Sequence, residues 1–181
     1  MADMSYNGTT LKWGARSYRA SSGMAEWHDP ALGPKTDYRV AKYQGSQGGP
    51  VPEGNYVLHV FLNGTAGLTK LGPDAEVAST QTGGIQNIPK VIVGGDEYSF
   101  PDWGTRRIRL FKGKGNSTKR DNFYLHDSSK GFSHGCIEVD GKFFEDLRQE
   151  LIVMHKSKKY DITLTVQYAS PGSSTNRGTK K

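Results

Sequence analysis

Residues 123–139 concentrate the reactive side chains of this 181-residue chain. Its single cysteine, Cys136, follows Ser133, His134 and Gly135, and a second histidine, His126, stands ten positions ahead of the sulfur. A thiol is a poor nucleophile until it loses its proton, and a neighbouring imidazole can take that proton and hold a thiolate–imidazolium pair. Cys136 is the candidate nucleophile and His126 the candidate base. Gly135 carries no side chain, so a substrate carbonyl can approach the backbone there, and the N–H groups around Gly135 and Cys136 are candidates to receive a developing oxyanion. Ser133 and His134 are candidates to orient the loop or the base through hydrogen bonds. Two other readings compete. A lone cysteine is often a small buried apolar residue, and His126, His134 and Cys136 are all competent zinc ligands, although no fourth ligand has the expected spacing. His28, His59 and His155 read as packed or surface residues.

For such a pair to act, the base must end a rigid element and the nucleophile must return to it across a loop. Phe123 and Leu125 alternate with Tyr124 and His126 at the period of a strand, so a sheet fixes the direction of His126. Ile108 and Leu110 alternate with Arg107 and Arg109 in the same way. Tyr56, Leu58, Val60 and Leu62 follow a turn at Pro52-Glu53-Gly54. Tyr160, Ile162, Leu164, Val166 and Tyr168 give five apolar positions at a period of two. Val91 to Val93 reads as a further short strand. Beyond Cys136 the spacing becomes helical: Asp140 is a candidate cap, Glu145 and Asp146 lie near the positive end, and Phe144, Leu147, Leu151 and Met154 share a face ahead of Lys156, Lys158 and Lys159. Residues 66–88 read as irregular, with a short helix around Asp74 to Ser79. The expected fold is mainly β (α+β), with one helix after the candidate nucleophile.

Composition supports a single domain over 1–170, since 34% hydrophobic content in 181 residues suffices for one core. Residues 171–181 are polar and basic and read as a disordered tail. The excess of 24 Lys and Arg over 18 Asp and Glu suits either solubility or an anionic polymer such as nucleic acid or bacterial cell wall. No basic motif interleaved with aromatics points to nucleic acid. No charged segment followed by an apolar run opens the chain, and no apolar run is long enough for a bilayer, so neither a signal peptide nor membrane insertion is expected. A lone cysteine leaves no intramolecular disulfide.

Ser133-His134-Gly135-Cys136-Ile137, preceded by a strand ending in Leu125-His126, resembles the active-site signature of the L,D-transpeptidase catalytic domain. Upstream, Gly49-Pro50-Val51-Pro52-Glu53-Gly54-Asn55-Tyr56 is similar to the proline–glycine turn and strand near the start of such domains. Trp103-Gly104 with Ile108-Arg109-Leu110 resembles their pre-catalytic strand. The matches span about residues 48 to 140. Three departures from the cross-linking enzymes stand out: a short loop between histidine and cysteine, Asp127 after the histidine, and Glu138 where arginine is common. With the absent leader and the segment at residues 16–23, they make the chain look more like the L,D-transpeptidase-related toxins of type VI secretion systems, in which an arginine matching Arg120 is also common.

The resemblance implies an L,D-transpeptidase-like β-sandwich or barrel and a cofactor-free, metal-free cysteine acyltransferase acting on the tetrapeptide stem of peptidoglycan. In that chemistry Cys136 attacks the amide between diaminopimelate and D-alanine, His126 handles the proton, and a thioester forms. Water as acceptor gives L,D-carboxypeptidase activity, a D-amino acid gives exchange, and a second stem gives a cross-link; the short loop favours the first two. Arg120, Asp127 and Glu138 become substrate-binding candidates. The implied partners are stem peptides, a cognate immunity protein and a component of the secretion machinery, with synthesis in the cytoplasm and delivery to the periplasm of a target bacterium. A cysteine amidase or endopeptidase is the catalytic alternative, disfavoured because those enzymes usually place cysteine before histidine in chain order. A non-catalytic wall-binding module is the other.

Overall fold

The computed structural model describes residues 2–23, 44, 48–61, 76–77, 83–88, 91–93, 96–98, 104–128, 131, 133 and 135–169. Twelve strands are placed in chain order: β1 Met4–Tyr6, β2 Thr10–Trp13, β3 Arg16–Ser22, β4 Gly54–His59, β5 Glu76–Val77, β6 Ile85–Asn87, β7 Val91–Val93, β8 Asp96–Tyr98, β9 Arg106–Lys112, β10 Phe123–His126, β11 Ile137–Val139 and β12 Asp161–Val166. Helix α1, Lys142–Lys156, joins β11 to β12. The protein is mainly β, and eight of the strands close on themselves. Taken around the ring they run β10, β11, β3, β2, β1, β12, β4, β9, and β9 returns to pair with β10. Strands β6 and β5 extend from the edge of β9 that also meets β4, and β7 pairs with β8 in a separate hairpin.

The first three strands form a meander built by two tight turns. Asn7 turns the chain by accepting the backbone N–H groups of Thr9 and Thr10 on its Oδ1, at 3.0 and 2.9 Å. Trp13 pairs with Arg16 across a two-residue turn whose Gly14 has φ +56, the left-handed region that glycine adopts without steric cost. Met4, Tyr6, Leu11, Tyr18 and Ala20 then reach the core at 4% exposure or less. These strands escape a reading by period because β1 and β2 are three and four residues long, too short for alternation to register.

The expected strands at residues 107–110 and 123–126 form, the one expected from Tyr56 runs as far as His59, and β12 alternates as read, with Ile162, Leu164 and Val166 buried. Leu62 lies outside the described residues, as does the tail at 171–181. Around Asp74 to Ser79 the expectation of a helix is overturned at its described residues: Glu76–Val77 is a strand paired in parallel with β6. Pairing to a sheet edge overrides the local preference of so short a segment.

Helix α1 covers one part of the barrel core. Phe143, Phe144, Leu147, Leu151 and Met154 are buried, and burying each such side chain contributes roughly 1.5–3 kcal/mol. Gly141 rather than Asp140 holds the cap position, but the Asp140 carboxylate accepts the Lys142 N–H at 3.0 Å and so satisfies one first-turn donor. Tyr18 on β3 donates its hydroxyl to Asp146 of α1 at 2.8 Å. That bond, with Lys142 on the other oxygen, holds the Asp146 carboxyl below its usual range. Among the described residues no helix is long and apolar enough to cross a membrane.

Candidate active site

Strands β10 and β11 lie side by side and run parallel, with Leu125 opposite Ile137 and His126 opposite Glu138. Paired residues project from one face, and successive residues alternate. Leu125, Ile137 and Val139 enter the core, so His126 and Glu138 project from the opposite face. Cys136 immediately precedes β11. It stands next to the pair that Leu125 and Ile137 form. The candidate base thus ends β10, and the candidate nucleophile is the residue before the parallel strand β11. Both are shielded from water, His126 at 2% exposure and Cys136 at 8%.

Parallel neighbours ordinarily need a crossover of about a dozen residues or more, whereas residues 127–136 make this connection in ten. Two anchors hold the short loop. Glu138, fully buried, accepts the Ser128 hydroxyl on one oxygen and the Gly131 N–H on the other at 2.7 Å. Ser133 donates its N–H to the Gly23 carbonyl at 2.8 Å, accepts the Gly23 N–H on its hydroxyl at 3.3 Å, and donates that hydroxyl to the Cys136 carbonyl. Ser22, at the end of β3, donates to the Gly135 carbonyl at 3.4 Å while accepting the Val51 N–H at 2.8 Å. The turn bearing the sulfur is thus tied to β3, to β11 and to the Pro-rich segment before β4.

Gly135 has φ +98, and a Cβ there would lie 2.4 Å from Nη2 of Arg120 and 2.8 Å from the Phe123 ring. The missing side chain admits the Arg120 guanidinium against the turn that carries Cys136. Nη1 of that guanidinium donates to the carbonyls of Gln44 and Pro50, each at 2.7 Å, and to that of Gly49 at 3.3 Å, while its carbon sits 5.1 Å from the centre of the Phe123 ring. Burial lowers the Arg120 pKa. Tyr168, Tyr56 and an ionised Cys136 act the other way and favour the cation.

Asp127 takes part in a different structure. Its Oδ1 accepts the N–H groups of Thr105 and Arg106, both at 2.7 Å, and its Oδ2 accepts the Thr105 hydroxyl at 3.0 Å and Nε of Arg106 at 2.9 Å. Burial would raise this carboxyl, but the Arg106 and Thr105 hydrogen bonds outweigh it and hold the pKa below the usual range.

The residues read from the sequence thus divide by placement. Cys136, His126, Ser133 and Gly135 come together around one loop, and Arg120 lies against it. Both carboxylate oxygens of Asp127 and of Glu138 are engaged by donors of the protein itself, so for either to bind substrate it must exchange those partners. His134 lies outside the described residues. Ser22 and Ser128 carried no sequence signal, because they act through hydrogen bonds to partners far along the chain or across the loop. Arg107 and Arg109 stood in a legible alternation whose neighbours across the sheet were not legible. Among the described residues no group of three or more His, Cys, Asp or Glu side chains is placed to hold a metal ion.

No protein-family model matches the chain, and no curated protein matches it either.

Proposed function

We propose that the protein is a cysteine acyltransferase of the L,D-transpeptidase kind that trims or exchanges the terminal D-alanine of peptidoglycan tetrapeptide stems, acting as an antibacterial effector in the periplasm of a target cell. The observation that supports this reading is the parallel pairing of β10 and β11, with a histidine ending the first strand and the sole cysteine immediately before the second, in a turn held by Ser133 and Ser22.

His126 takes the thiol proton, and the sulfur attacks the carbonyl carbon that joins diaminopimelate to D-alanine. A C–S bond forms as the carbonyl becomes a tetrahedral oxyanion. Collapse breaks the C–N bond, the leaving amine takes the proton from the imidazolium, and a thioester remains. Water then gives its proton to His126 and attacks the thioester; the C–S bond breaks, and the sulfur recovers the proton as the tripeptide acid leaves. With a D-amino acid as acceptor, its amine attacks instead and a new amide results. Arg120 contributes a half-buried cation that interacts electrostatically with Cys136, an environment that favours thiolate in cysteine enzymes generally.

Mass analysis of muropeptides incubated with the protein tests this. The wild type should convert tetrapeptide to tripeptide stems and incorporate a supplied D-amino acid, and Cys136→Ala should do neither. Trimming that survives in Cys136→Ala, or unchanged stems with the wild type, would overturn the reading.

A further inference from the structure

Strand β9 flanks β10 on the side away from β11, with Tyr124 opposite Arg109 and His126 opposite Arg107. The shared face therefore carries Glu138, His126 and Arg107 in one row across three strands and Tyr124 with Arg109 in the next, and Cys136 is the residue before β11. We propose that Arg107 and Arg109 form the subsite that holds a free carboxylate of the stem peptide while its amide lies at the sulfur, an inference that rests on the acyl-transfer reading above.

The two arginines are prepared in different ways. Arg107 is half-buried; its guanidinium carbon stands 4.5 Å from the centre of the Tyr124 ring, and its Nε donates to Oε1 of the fully buried Gln86 at 3.0 Å. Stacking fixes the plane of the fork and the Gln86 bond fixes its rotation, which leaves the two Nη groups to meet an incoming ligand. Arg109 is 8% exposed, its Nη2 reaches Asp121 only at 3.7 Å, and its buried Nε has no hydrogen-bond acceptor. A buried cationic donor without an acceptor is costly, and a carboxylate is the group that an arginine fork satisfies with two parallel bonds. Arg120, by contrast, already directs its Nη1 to the carbonyls of Gln44, Gly49 and Pro50.

The stem offers two free carboxylates near the scissile bond, the terminal one of D-alanine and the side-chain one of diaminopimelate. Calorimetric titration of Cys136→Ala with the tetrapeptide, and with peptides amidated at one or other carboxylate, separates them. The free acid should bind, and amidation of the recognised carboxylate should weaken it about tenfold or more. In the Cys136→Ala/Arg107→Gln protein the acid and that amide should bind alike, while Arg107→Lys should restore part of the preference. Thermal melting identifies a variant that has not folded, in which case Arg107→Lys and Arg109→Lys carry the comparison. Equal binding of acid and both amides by Cys136→Ala, or an unchanged preference after Arg107 is replaced, overturns the subsite. Turnover by the wild type is measured separately, so a protein that binds the acid selectively but never trims it would sink the acyl-transfer reading and leave the subsite standing.

Discussion

Arg120 links the stability of the site to its reactivity. Replacing it by alanine strips three carbonyls of their donor and removes the cation next to Cys136. Arg120→Ala should cost about 2–4 kcal/mol in denaturant unfolding. It should also move the alkylation of Cys136 toward higher pH, because the coupling that favours a charged guanidinium favours a charged sulfur equally. An alkylation profile identical to that of the wild type would separate Arg120 from the thiol. Asp127 makes a prediction in the acid range. Burial pushes its carboxyl up, yet the donors from Arg106 and Thr105 bring it below the value of about 3.9 that it has in the unfolded chain. Its stabilisation is therefore complete above that unfolded value and is lost as the pH falls through the lower, folded-state one. Asp127→Asn should lose about 2–3 kcal/mol at neutral pH, and its urea midpoint should fall less steeply than that of the wild type on acidification below about pH 4. Parallel curves would show that the clamp does not depend on the charge.

At the scale of elements, the short connection from β10 to β11 is the feature on which the site turns. Gly135→Ala drives a methyl group to 2.4 Å from the Arg120 guanidinium at a φ of +98, so strain and displacement together should destabilise the fold by about 1–3 kcal/mol and reduce stem trimming more than tenfold. Glu138→Ala removes the acceptor of both Ser128 and Gly131. The expected result is faster hydrogen exchange at Gly131 and Ser133 with the barrel strands still protected; unchanged exchange in the loop would deny Glu138 its anchoring role. The loop was legible in part. A histidine at a strand end and a Ser-His-Gly-Cys turn mark a candidate nucleophile and a candidate base, because few residue types can do that chemistry. What Glu138 and Asp127 hold was not legible, since a carboxylate beside a site and a carboxylate bracing one have the same letters and differ only in which donors the fold brings to them.

For the whole molecule, alternation along β4, β9, β10 and β12 was enough to read a mainly β protein, and the apolar spacing of α1 foretold its buried face. The ring was not readable, because the pairings that close it join residues far apart in sequence: Met4 with Leu164, Tyr56 with Lys112, and Ala20 with Val139. Core substitutions should report on that ring as one unit. Leu164→Ala on β12 and Leu147→Ala on α1 each remove a fully buried side chain and should each cost about 2–5 kcal/mol, with both variants melting in a single step. A biphasic melt in either would show that barrel and helix unfold separately.

Strand β12 is the last of the ring to be synthesised, and it fits between β1 and β4, two of the earliest. A growing polypeptide that has already emerged from the ribosome through Cys136 and α1 still has a gap in its wall and two unpaired edges. Cys136 and His126 are then present before the ring that carries their strands has closed. Competence for the proposed reaction should accordingly arrive in one step, once β12 is in place, and a product ending before residue 161 should be inert.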